Sequence, residues 1–152
     1  MTSFVPAGFH SITPYITVDG ADAAIKWYGE AFGATEVMRM PMGDKIGHAE
    51  ILIGDSHIML SDEWEHVGKL SPKTRGGVSV AFTLYLADVD TAFAKAIAAG
   101  ATELRPVQNQ FYGDRSGTLI DPFGHEWTIA THVEDVSEDE MNRRMAELMQ
   151  GA

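Results

Sequence analysis

Apolar side chains return along this chain at two periods, and the two periods alternate in the same order twice. ITPYITVDG, near the start, reads as a strand. Helical spacing follows from Ala21 to Phe32, with Ala24, Trp27, Tyr28, Ala31 and Phe32 on one face. VAFTLYLAD is the second strand-like run, and the helix after it, Val89 to Ala99, gathers Val89, Ala92, Phe93, Ala96 and Ile97 on one face. Each helix ends on the same four residues, Gly33 to Glu36 and Gly100 to Glu103, both Gly-Ala-Thr-Glu. Gly33 and Gly100 fall where a left-handed residue closes a helix.

Three short strands follow each glycine. They are ATEVMRMPM, GHAEILIG and SHIMLSD in the first half, and ATELRPVQN, SGTLIDPFG and HEWTIATH in the second. Gly54-Asp55 and Asp121-Pro122-Phe123-Gly124 supply the turns between the last two strands of each half. The pattern predicts an α+β chain built of tandem βαβββ modules, about 9–62 and 78–133, that form a cupped mixed sheet within a single domain spanning 1–152. The polar linker EWEHVGKLSPKTRGG, residues 63–77, is expected to be the most mobile loop. A last helix, about 137–149, opens on the capping box Ser137 and Glu140 and carries Met141, Met145, Leu148 and Met149 as a stripe. Such a stripe is expected to dock on the body or on a second subunit.

Charge and composition narrow the partners. Twenty-two acidic residues against 11 basic ones leave a net charge of −11, which argues against nucleic acid and anionic membranes as partners. No apolar run is long enough to span a bilayer, and MTSFVPAGFHSITPY lacks the basic start and apolar core of a signal peptide, so a cytoplasmic location is expected. Without cysteine there is neither a disulfide framework nor a thiolate ligand.

His48 and Glu50 are the first candidates for chemistry. They are two apart on a strand, so they share a face, while Ala49, Ile51 and Ile53 take the other face under the helices. A histidine and a carboxylate on the inner face of a cup can do acid–base work, fix a polar ligand, or form a buried hydrogen-bonded pair. The same alternation aims Thr13, Tyr15 and Thr17 inward from the first strand, Ser116 and Thr118 from the seventh, and Glu126 and Thr128 from the last. Tyr112, Asp114 and Arg115 form a second group. Arg115 is expected either to clamp a ligand anion at the rim or to pair with Asp114 or Asp121. Trp64 in the linker either lids the cleft or anchors the loop, the anchor being favoured. His10, His57, His66, His125 and His132 show no metal-binding spacing.

Taken together, Ile12-Thr-Pro-Tyr-Ile, Trp27-Tyr28 with Phe32-Gly33, Gly47-His-Ala-Glu50, Ser61-Asp-Glu, Asp88-Val-Asp90, Tyr112-Gly-Asp-Arg115, Asp121-Pro-Phe-Gly-His125 and Trp127 with Ala130-Thr-His132 resemble the vicinal oxygen chelate superfamily. This is the glyoxalase/bleomycin-resistance/dioxygenase fold, and the resemblance is to its PhnB-like branch over roughly residues 9 to 133. It implies a homodimer that binds a small molecule. In metal-dependent members the ligands lie at positions that fall here on Thr13, Leu60, Ala81 and Thr128. Two threonines, a leucine and an alanine do not supply the donors a divalent ion needs, so no metal and no cofactor is expected. Three activities stay open: metal-free small-molecule binding; a lyase or isomerase using His48 and Glu50; and a drug- or metabolite-sequestering resistance protein. The expected ligand contacts are Thr13, Tyr15, Trp64, Tyr112, Arg115, Thr118 and Thr128.

Overall fold

The computed structural model describes residues 2–152. The elements follow in the order β1 (Tyr15–Val18), α1 (Ala21–Phe32), β2 (Thr35–Met42), β3 (Lys45–Ile53), β4 (Ser56–Asp62), a 3₁₀ turn (Glu65–Val67), α2 (Pro72–Arg75), β5 (Ala81–Tyr85), α3 (Val89–Ala98), β6 (Thr102–Asn109), β7 (Asp114–Ile120), β8 (Glu126–His132) and α4 (Glu138–Gln150). The chain divides into two compact units. The first takes the residues up to Ser79 together with Pro122–His125, and the second takes Val80–Asp121 and Glu126–Ala152.

In the first unit the strand order is β1-β4-β3-β2. β1 runs parallel to β4, and the other pairs are antiparallel. One face of this sheet lies under α1. Ala49 and Ile51 on β3 and Leu60 on β4 are fully buried, as is Tyr28 on the helix. Burying side chains such as Ile51 and Leu60 stabilises the unit by about 1.5–3 kcal/mol each. Helix α1 ends as its sequence predicts: Gly33 has φ 70°, and its N–H and that of Ala34 return to Gly29 and Tyr28.

The helix start is less conventional. Its N-cap residue, Gly20, has no side chain to cap with. Instead Asp62, at the far end of β4, accepts from Gly20 N (3.0 Å) and Ala21 N (2.8 Å) through Oδ1, and from Ile46 N (2.7 Å) through Oδ2. One buried carboxylate thus joins α1, β3 and β4. The turn Pro122–His125 is also part of this unit: His125 is buried, its Nε2 is 3.0 Å from the Thr17 carbonyl, and Phe123 is 6.1 Å from the Tyr28 ring. The sequence had suggested a solvent-facing or turn-bonding role for His125; the bonded, buried arrangement is the one observed.

The linker is folded. Glu63 accepts from Ser71 N (2.7 Å) and Thr74 Oγ1 (2.5 Å), Trp64 and Lys69 form an antiparallel bridge, and Arg75 donates to the Gly68 carbonyl. The hydrogen bonds from Ser71 and Thr74 hold the Glu63 carboxyl down at about 2. The polar composition read as mobility encodes local bonding instead.

The second unit repeats the first, with strand order β5-β8-β7-β6 and α3 against it. Thr131 on β8 holds the position that Asp62 holds on β4: its Oγ1 accepts from Val89 N at the start of α3 (3.0 Å) and donates to the Leu86 carbonyl (2.8 Å). Asp114, buried on β7, accepts from Tyr85 Oη and His132 Nδ1, each at 2.8 Å, while His132 Nε2 meets Asp135 at 2.8 Å. Both ring nitrogens of His132 therefore face carboxylates, and only the imidazolium can donate to both. Asp135 first, then Asp114, raise the pKa of His132 above its ordinary value. Helix α4 begins at its predicted cap, with Ser137 Oγ accepting from Glu140 N, but has no buried residue. Met145, Leu148 and Met149 stay exposed on it. No helix among the described residues is long and apolar enough to cross a membrane.

Two predictions follow from these bonds. Asp62→Ala leaves three backbone N–H groups without their acceptor and should lower unfolding free energy by about 2–4 kcal/mol, measured by urea denaturation. Loss of under about 0.5 kcal/mol would show that water replaces the carboxylate without cost. His132 has a raised folded pKa, so its contribution is complete below the unfolded value of about 6.5 and disappears as pH rises through the folded one. The difference in melting temperature between wild type and His132→Gln should therefore be larger at about pH 5.5 than at about pH 9. A difference that is constant, or that grows with pH, contradicts the assignment.

Candidate functional site

Strand alternation in the first unit decides which side chains are available for chemistry. On β3, Ala49, Ile51 and Ile53 are buried on the helix side, so His48 and Glu50 emerge on the open side, both half-buried. Register completes that face. Glu50 stands opposite Met59 on β4 and Met38 on β2, His48 stands opposite Met40, and Tyr15 on β1 stands beside Met59.

These side chains are joined. Tyr15 Oη is 2.9 Å from His48 Nδ1, and His48 Nε2 is 3.2 Å from Glu50 Oε1. An ionised Glu50 can only accept, which places the ring proton on Nε2 and leaves Nδ1 to accept from the tyrosine hydroxyl. The order is hydroxyl, imidazole, carboxylate: an oxygen acid, a base against it, and a group that orients the base. The ammonium of Lys69 sits 3.9 Å from the centre of the Tyr15 ring. The sequence placed Tyr15, His48 and Glu50 on one face, but it gave no sign that Tyr15 reaches His48, and Lys69 was not singled out at all. The signal for Tyr15 lies in the parallel β1–β4 pairing, which no local pattern reveals.

The other expected contacts fall elsewhere. Thr13 precedes β1 and is half-buried. Trp64 anchors the loop through its bridge to Lys69; Lys45 Nζ is 5.1 Å above its ring and His66 packs edge-on against it, beside an open cleft of about 440 Å³. In the second unit, Thr118 and Thr128 bond each other at 3.2 Å. Tyr112 lies in the turn before β7, edge-on to Phe111. Arg115 is a correction. It points to the α3 side of β7, where Asp90 takes both its Nε and Nη2 at 2.8 Å, and neither Asp114 nor Asp121 is its partner. Alternation requires this, because Ser116 and Thr118 occupy the opposite face. Leu60 is a second correction: it is buried on the helix side, and Met59 and Ser61 hold the open-face positions of β4.

A metal of the kind the resemblance implies does not fit these residues. The open-face positions of β1 and β4 carry Tyr15, Thr17, Met59 and Ser61, with Thr13 just before β1, and those of β5 and β8 carry Ala81, Thr83, Glu126 and Thr128. A divalent ion takes three or four imidazole, carboxylate or thiolate donors, and these positions offer a single one, Glu126.

Comparison with known proteins agrees with the fold. An uncharacterized protein of Mycobacterium bovis is 38% identical over 140 residues, covering 90% of this chain and 92% of that one. TioX from Micromonospora sp. ML1 superposes with a TM-score of 0.64 at 23% identity, over 84% of this chain and 100% of TioX. A PhnB protein from Bacillus cereus superposes with a TM-score of 0.63 at 18% identity, over 80% of this chain and 99% of that one. The family described as Glyoxalase/Bleomycin resistance protein/Dioxygenase superfamily matches residues 8–129, most of both βαβββ modules, and the chain belongs to that superfamily.

Proposed function

We propose that the protein binds a small molecule against the open face of the β1–β4–β3 sheet and exchanges a proton with it through Tyr15, His48 and Glu50. The observation that carries this reading is the hydrogen-bonded chain from Tyr15 Oη through both nitrogens of His48 to Glu50. With the proton on His48 Nε2, the tyrosine hydroxyl is polarised toward Nδ1, and Tyr15 Oη can take a proton from a ligand as its own passes to the imidazole. In the reverse direction an imidazolium held by Glu50 returns that proton to Tyr15, which donates it to a ligand oxygen. Such proton traffic suits a lyase or isomerase that uses side chains where other members use a metal. Binding without turnover would instead make the protein a sequestering one.

We also place the chain in the PhnB-like branch, acting in the cytoplasm as a homodimer of single-domain subunits. The branch is supported by Gly47-His-Ala-Glu50 and by the shared fold of the PhnB protein. The dimer is supported by the exposed stripe of Met145, Leu148 and Met149 on α4. Light scattering at micromolar concentration should give twice the chain mass, and truncation after Val136 should weaken that state; the mass of one chain would contradict the dimer.

The site is tested by native mass spectrometry against a metabolite library, followed by Tyr15→Phe and Glu50→Gln on any hit. Both variants should keep their melting temperature within a few degrees and lower affinity or turnover about tenfold or more. If Glu50→Gln lowers stability and leaves binding alone, the pair is a structural one and the reading fails.

A further inference from the structure

Lys69 stands out by its place rather than by its charge. No lysine among the described residues is recorded in an ion pair with a carboxylate, but Lys69 is half-buried and its ammonium lies over the tyrosine of the candidate site. Its recorded contact is the face of Tyr15, 3.9 Å from the ring centre. Its position is held from both sides. Trp64 N donates to the Lys69 carbonyl at 2.8 Å, Lys69 N donates to the Trp64 carbonyl at 3.1 Å, and Gly68 turns the chain between them at φ 73°. The loop therefore carries a half-buried cation to the tyrosine whose hydroxyl heads the His48–Glu50 chain.

Resting on the binding site proposed above, we propose that Lys69, held over the ring of Tyr15, forms an anion subsite, and that the ligand is a small monocarboxylate with an apolar body. A carboxylate next to Lys69 would give the ammonium an ionic partner beside Tyr15, while the tyrosine hydroxyl keeps its proton toward His48 Nδ1. The single charge follows from electrostatics. One ammonium is present, while Glu50 at the other end of the chain and the net charge of −11 both oppose a dianion such as phosphate. The apolar body follows from the neighbours. Met59 lies between Tyr15 and Glu50, and Met40, opposite His48, is 55% exposed. Thioether side chains of this kind pack against varied apolar shapes.

The test is a titration with benzoate, benzamide and inorganic phosphate, followed by NMR of aromatic- and methionine-methyl-labelled protein. Benzoate should shift the Tyr15, His48 and Met59 signals saturably, and benzamide and phosphate should bind about tenfold more weakly or not at all. Lys69→Met, which keeps most of the stem, should remove the preference for benzoate over benzamide, and Lys69→Arg should retain it. Circular dichroism checks that both variants fold. Equal binding of benzoate and benzamide at Tyr15 and His48, unchanged in Lys69→Met, overturns the anion subsite and leaves the binding face standing. Phosphate binding as tight as benzoate overturns the monocarboxylate assignment. Absence of any shift at Tyr15 and His48 with benzoate overturns the subsite outright, while the metabolite screen decides separately whether the face binds anything.

Discussion

A four-stranded sheet covered by one helix has one dry face, and in this protein that constraint decides where chemistry can occur. Burial of Ala49, Ile51 and Leu60 on the α1 side fixes the phase of β3 and β4. A slip of one residue would bury His48 and Glu50 and expose three apolar side chains, so the packing energy of the core also holds the polar groups in place. The same rule sends Arg115 to α3 and leaves Thr118 and Thr128 to bond each other.

The two units solve one structural problem with different chemistry. Each must cap a helix that starts just after its first strand, and each does so from the end of its last strand: Asp62 for α1, Thr131 for α3. The cap position is repeated while the residue is not. Divergence is greater on the open faces. By register Glu50 corresponds to Thr118 and His48 to Ser116, so the imidazole and carboxylate of the first unit have only hydroxyls as counterparts in the second. Asp114, one pair further along β7, joins Tyr85 and His132 instead.

Much of this was legible in the sequence because it depends on local period. The repeated Gly-Ala-Thr-Glu, the helical faces of α1 and α3, and the alternation around Ala49 suffice for the tandem βαβββ fold and for the face shared by His48 and Glu50. The bond from Tyr15 to His48 was not legible, since it depends on β1 lying parallel to β4 across a long stretch of chain. Lys69 was hidden for a related reason: a polar, glycine-rich segment reads as a loop, and nothing in its composition tells which ring its lysine will cover. The misplacement of Arg115 was avoidable, because its side follows from Ser116 and Thr118. The phase of Leu60 was equally available from Ile58 two residues earlier.

The central claim is that His48 is held as a base between a hydroxyl and a carboxylate. The most direct measurement is the tautomer of His48, read from long-range proton–nitrogen correlation of the imidazole ring in wild type, Tyr15→Phe and Glu50→Gln. The account predicts that the neutral ring carries its proton on Nε2, with Nδ1 shifted in Tyr15→Phe and Nε2 shifted in Glu50→Gln. A proton on Nδ1, or nitrogen signals indifferent to both substitutions, would contradict it.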